Sequence, residues 1–131
     1  MERLIYRSRA LLLEPAAALD SILEASVWHN PRLQITGALG FTGLTYVQFL
    51  EGPAASLDAL LVKLGADPRH GDLTILVRCS AGNRMLPDWT MARVDLSKVA
   101  PKVEHLLASG DGLALIGLMG NLERRGVTGV H

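Results

Sequence analysis

The chain has 131 residues, 49% of them apolar and 20% charged, enough for one domain with a sizeable core and unlike a disordered tail or linker. Thirteen basic residues balance thirteen acidic ones, so no net field attracts a polyanion and bulk charge gives no reason to expect a nucleic-acid partner. Cys79 is the only cysteine, the opening MERLIYRS is not an apolar secretory segment, and no run approaches the roughly 20 apolar residues that span a bilayer. The expectation is a cytoplasmic protein with no membrane partner.

Arg3 to Leu11 starts with alternating character and reads as a strand. In the run from Glu14 to His29, Leu19, Ile22, Leu23 and Ser26 fall at i, i+3, i+4 and i+7, the stripe of a helix. Asn30-Pro31 should close it, because the residue before proline avoids the helical region. Leu33 to Phe41 and Leu44 to Leu50 are β-prone runs joined through Thr42-Gly43 as a hairpin. Ser56, Leu57, Leu60, Leu61 and Leu64 give the next helix one apolar face. After a polar turn, Leu73 to Val77 is a short strand with Leu73, Ile75 and Val77 on one face, and Asp88 to Val94 is a last strand.

The order β-α-β-β-α-β-β packs most economically as one mixed sheet with both helices on one face, a ferredoxin-like α+β domain over residues 1–94. Residues 95–131 read as a C-terminal helical extension. Val99, Val103 and Leu106 have helical spacing, and Leu113 to Met119 is apolar nearly all round. That second helix must be covered by the open sheet face or by another subunit.

Tyr6 and Gln48 stand inside strands among apolar neighbours. Spacing leaves two readings open. Either Gln48 points to solvent and Tyr6 is a core aromatic, or both belong to a buried polar site, where an unmatched amide costs about 1–3 kcal/mol. Other patterns are weaker. Gly37, Gly40 and Gly43 match neither a dinucleotide fingerprint nor a phosphate loop. His29, His70, His105, His131 and Cys79 lack metal-ligand spacing, and no nucleophile elbow supports a triad from Ser8, Ser26, His29 and Asp67.

Five segments together, in order, resemble the BLUF domain, a flavin-binding blue-light sensor with a ferredoxin-like fold. They are Leu4-Ile5-Tyr6-Arg7-Ser8-Arg9-Ala10, Ser26-x-x-His29-Asn30 leading to Ile35-Thr36-Gly37, Gln48-x-Leu50-Glu51-Gly52-Pro53, Asp67-Pro68-Arg69-His70 and Asp88-Trp89-Thr90-Met91. The resemblance covers roughly Glu2 to Val94 and implies noncovalent FAD, with FMN or riboflavin tolerated. It makes Tyr6 the electron donor to the excited flavin and Gln48 the amide between the tyrosine hydroxyl and the ring. It places Asn30 on the pyrimidine edge with His29 as a nearby polar contact, and Ile22 and Ser26 along one side of the ring. Lys63, Asp67, Arg69 and His70 would approach the other side and the ribityl chain, and Trp89 and Met91 would lie on the switching strand.

The sequence departs from the family pattern in the hairpin turn Thr42-Gly43-Leu44, at Gly40, and at Met85-Leu86 after Arg84. These positions concern a turn and packing, so they bear on dark recovery and rigidity more than on photochemistry. Residues after Val94 are too few for a cyclase or phosphodiesterase domain. The resemblance is therefore to a short stand-alone photoreceptor, not itself an enzyme, acting through a homo-oligomer or a separate protein partner. The alternatives are a light-independent interaction module of the same fold and an acylphosphatase-like hydrolase with Arg69 and Asn30 as phosphate binders.

Overall fold

The computed structural model describes residues 1–10, 25–26, 29–43, 45–66, 70–87, 89–121 and 124–127. Strands β1 (Glu2–Ala10), β2 (Thr36–Phe41), β3 (Thr45–Gly52), β4 (His70–Ser80), β5 (Met91–Asp95) and β6 (Arg124–Val127) form one sheet. Their order is β4-β1-β3-β2-β5-β6. Only β2 and β5 pair in parallel, so the sheet is mixed. Helices α1 (Ala54–Gly65), α2 (Ala100–Ser109) and α3 (Gly112–Asn121) flank it.

Alternation along the strands divides the core in two. Leu4, Tyr6, Leu39, Tyr46, Leu50 and Met91 lie on one face, packed with Ile35 and with Leu57 and Leu64 of α1. Leu33, at the end of the first helix, joins the same layer, so the ferredoxin-like expectation of both helices on one face is met. Ile5, Ala38, Val47, Phe49, Ala92 and Val94 lie on the other face, under Val103 and Leu107 of α2 and Leu115, Ile116 and Met119 of α3. The open sheet face is thus what covers the apolar Leu113 to Met119 run, apart from Leu113, which remains 67% exposed.

Arg78 binds α1 to the sheet. Its guanidinium donates to Glu2 Oε1 at 2.7 Å, to Asp58 Oδ1 at 2.7 Å and to the Ala54 carbonyl. Those carboxylates, Asp58 foremost, hold its pKa above the ordinary arginine value.

Four local features differ from the sequence expectation. Most of the first helix lies outside the described residues, but its end does not fall at Asn30-Pro31: residues 29–33 are helical. Gln34 then turns left-handed at φ 58, with its N–H on the Pro31 carbonyl and the Ile35 N–H on the Asn30 carbonyl. This is a Schellman end, and it outweighs the pre-proline bias. Strand β4 is longer than Leu73 to Val77, and its single apolar face is broken by a bulge. Ile5 pairs with Val77 but Tyr6 with Ile75, so Leu76 is an extra residue. Leu73 consequently packs on the Tyr6 side while Leu76 and Val77 pack on the opposite side. The last predicted strand begins at Met91 rather than Asp88. The C-terminal extension adds β6, which pairs Met91 with Val127 and Val94 with Arg124 on the outer edge of β5.

Close approach fixes one glycine: a Cβ on Gly37 would stand 2.0 Å from the Phe49 carbonyl oxygen. Another, Gly110, ends α2 at φ 70 and lets α3 fold back over the sheet.

Because Leu115 is fully buried and Leu113 is not, Leu115→Ala should cost about 2–5 kcal/mol and Leu113→Ala under about 0.5 kcal/mol. Urea unfolding of the two variants measures the contrast; equal losses would mean that α3 does not sit on the sheet.

Candidate functional site

Tyr6 on β1 and Gln48 on β3 are direct cross-strand partners. Both side chains are buried, at 0% and 2% exposure, which overturns the reading of Gln48 as solvent-facing. The Tyr6 hydroxyl donates to Gln48 Oε1. On its other side the amide donates from Nε2 to Met91 Sδ at 3.5 Å. A phenol, an amide and a thioether thus form a line across β1, β3 and β5, inside an otherwise apolar layer. The second ligand of the amide is weak, since thioether sulfur is a poor acceptor.

Asn30 reaches the same strand from the helical segment. Its Nδ2 donates to the Thr90 carbonyl at 3.0 Å, and the side chain is buried at 1% exposure. Its Oδ1 has no hydrogen-bond partner among the described residues. Buried amides are normally satisfied. Among the described residues, one amide oxygen here has no partner and one amide nitrogen meets only sulfur. A flavin edge carries alternating N–H, C=O and ring-nitrogen groups, so these residues suit that group's polar edge.

The family comparison decides the class. A family model described as sensors of blue-light using FAD matches residues 1–92. The chain belongs to the BLUF family. It is 30% identical over 108 residues to a photoactivated adenylate cyclase subunit beta of Euglena longa, covering 80% of this chain and 13% of that relative. The chain therefore spans a small part of the length of that relative. In structure it is similar to BlrB, a BLUF protein in its dark state, with TM-score 0.76 and 39% identity over 84% of this chain and 86% of the other. It shares its fold with BlsA in the photo-activated state, at TM-score 0.79 and 20% identity, covering 96% of this chain and 99% of the other. Family membership makes this BLUF chain a flavin-using blue-light sensor.

Within the BLUF chain the structure brings Tyr6, Gln48 and Met91 into one line, with Asn30 beside it through Thr90. Ser26 is buried and His29 exposed on the helical segment. Trp89 is half-buried and packs on the opposite side of the sheet, against the core beneath α2 and α3. Met91, rather than Trp89, is the residue against the glutamine. Lys63 is exposed in the last turn of α1. Ile22, Asp67 and Arg69 lie outside the described residues, and His70 is described only as the first residue of β4. No helix among the described residues is long and apolar enough to cross a membrane.

Sequence reasoning assigned no part to the Thr90 carbonyl, nor to Glu51 and Arg84. Arg84 spans the Gln34 carbonyl, Thr36 Oγ1 and the Glu51 carbonyl at 2.6–2.9 Å. The signal for Glu51 was present: a carboxylate directly after the apolar run Tyr46 to Leu50, still within the strand, needs partners, just as Gln48 does.

Asn30→Ala should remove the donor to the buried Thr90 carbonyl and cost about 1–3 kcal/mol. Denaturant unfolding in the dark gives that value; an unchanged midpoint would detach Asn30 from the Thr90 strand.

Proposed function

We propose that this chain senses blue light by reorienting the Gln48 amide between Tyr6 and Met91 beside a noncovalently held flavin, FAD by family and FMN or riboflavin by tolerance of the same edge contacts. The observation that carries this reading is the buried line from Tyr6 through Gln48 to Met91. Gln48 and Asn30 would hold the ring's polar edge, with Ser26 and Ile22 on the first helix beside it. Lys63, Asp67, Arg69 and His70 would lie toward the sugar chain, and His29 near the pyrimidine side. Flavin supplies blue absorption and, when excited, a strongly oxidising ring.

The protein's own part is a hydrogen-bond exchange. Tyr6 is the oxidisable group and holds the mobile proton, on a hydroxyl that now faces Gln48 Oε1. An amide carries a donor at one end and an acceptor at the other. Rotating it by half a turn, or converting it to its imidic tautomer, changes what Tyr6 and the flavin edge receive and leaves every covalent bond to the cofactor unmade. A hydrogen bond gained at the flavin carbonyl stabilises the excited state more than the ground state, so absorption moves to the red.

We place the output on β5 and the helices after it, with Trp89 and Met91 as its first residues. Asp95 Oδ1 caps the next turn through the Ser97 N–H and hydroxyl, and Thr42 of the hairpin donates to Glu104 of α2 at 2.6 Å. Both contacts lie at the end of the sheet where Phe41 pairs with Asp95, so strand and helix are joined there. This reading makes residues 1–94 the sensor and residues 95–131 the transmitter. The transmitter would act in the cytoplasm by self-association or on a separate protein, with no catalysis of its own.

Flavin-loaded protein should shift its blue absorption to the red on illumination and return in the dark, and heat should release intact flavin. Tyr6→Phe and Gln48→Leu should each keep the fold and lose the shift; its persistence in either variant removes that residue from the switch. Hydrogen exchange in darkness and under blue light should differ over residues 89–121. Equal protection there beside an intact spectral shift would send the signal out by another surface.

A further inference from the structure

Glu51 carries a fully buried side chain on the face of β3 opposite Gln48, three residues along the strand, so it cannot touch the amide. Its carboxylate is nevertheless completely engaged. Oε1 accepts from the Met85 N–H at 2.7 Å and from Arg3 Nε at 3.3 Å. Oε2 accepts from the Met85 N–H at 2.9 Å and from the Leu86 N–H at 3.0 Å. Arg84 fastens the same stretch to the end of the first helix and the start of β2.

From there the chain is tied stepwise to the switch. The Trp89 N–H donates to the Leu86 carbonyl, and the Trp89 carbonyl accepts from the Gly37 N–H at 3.0 Å. The next carbonyl, of Thr90, takes the Asn30 amide, and the next side chain, Met91, takes Gln48. We infer that Glu51 is a positioning residue of the photoswitch: its buried charge fixes residues 84–87, and through the Leu86–Trp89 contact this sets where Thr90 and Met91 stand against Asn30 and Gln48. This inference rests on Gln48 being the moving part of the switch.

The physical case is one of charge in a dry place. A carboxylate accepting backbone N–H bonds makes stronger, shorter bonds than a neutral amide would. Glutamine at the same position would keep the volume but turn an NH2 group toward backbone donors. Residues 84–87 would then be held by neutral contacts, by Arg84 and by Arg3 on the adjacent Asn83 carbonyl. Returning Gln48 to its dark orientation requires Met91 to give way and settle again, so a looser segment lowers the barrier.

The test is Glu51→Gln in the flavin-loaded full chain. Amide exchange at Met85, Leu86 and Trp89 in the dark should quicken about tenfold, and recovery of the dark spectrum should quicken to a similar degree, with flavin content and the size of the red shift unchanged. Leu107→Ala, a cavity on the same sheet face, is the control: it loses stability yet should leave recovery within about twofold of the parent. Arg84→Lys, which removes the guanidinium fork while Glu51 stays, should move exchange and recovery in the same direction and decides the matter if Glu51→Gln does not fold. Unchanged recovery in a folded variant, or equal acceleration by Leu107→Ala, would overturn the positioning role. A parent chain with no red shift at all would overturn the switch reading and this inference with it.

Discussion

The arrangement of the site depends on one buried register: Tyr6 opposite Gln48 across β1 and β3. Side chains alternate with period two, so a slip of one residue would send one of the pair to the wrong face. The same ladder pairs Arg3 with Glu51 on the other face. In any slipped register Glu51 would lose Arg3, leaving a buried carboxylate short of its cation, a loss on the order of 3–5 kcal/mol. The ion pair therefore guards the placement of a polar pair that it does not touch.

That register also explains why the sheet serves two layers. Met91 faces the Tyr6 layer, while Ala92 and Val94, its neighbours on β5, face α2 and α3. Close-packed interiors transmit small displacements because there is no free volume to absorb them. A movement of Met91 along or across β5 is thus felt by Ala92 and Val94 under the C-terminal helices. The pairing of β6 with β5 adds a second attachment on the outer edge of that strand. Trp89, just ahead of it, already packs in the helix-covered layer. Few residues separate the proposed switch from the surface that would report it.

Much of this was legible because it is written in periodicity. Alternation marks β1 and β3, the leucines of residues 57–64 mark α1, and polar residues inside apolar strands mark Tyr6 and Gln48. What escaped depends on partners far away in sequence. The bulge at Leu76 shifts the β1–β4 register by one residue, and a second shift follows between Arg7 and Arg9; no local pattern in β4 encodes either. The helix runs past Asn30-Pro31 because Gln34 accepts a left-handed turn and Asn30 finds Thr90 sixty residues on. β6 has the sequence Arg124-Arg125-Gly126-Val127, with no apolar alternation, and it exists because β5 offers an edge. Glu51 was readable as a buried charge, but its ligands Met85 and Leu86 are backbone groups, which residue identity does not announce.

The poise of the proposed switch would come from how unequally Gln48 is held. A phenolic hydroxyl binds its oxygen, and among the described residues a thioether alone meets its nitrogen. Tyrosine both donates and accepts. If the amide turns over, the nitrogen can donate to the phenol oxygen, and the bond to Tyr6 is exchanged rather than lost. Of the protein's own two contacts, the one surrendered would be that to Met91, the weaker. Had a backbone carbonyl or carboxylate stood in place of that sulfur, the dark orientation would be tied at both ends by ordinary hydrogen bonds, each with a net worth of about 1 kcal/mol or more. A difference of about 1.4 kcal/mol is already a factor of ten in population. In the proposed switch, methionine at 91 would therefore leave the protein's own contacts with little preference between the two amide orientations, and the firmness that sulfur does not supply would come from Asn30 on Thr90 and from the anchored segment that precedes it.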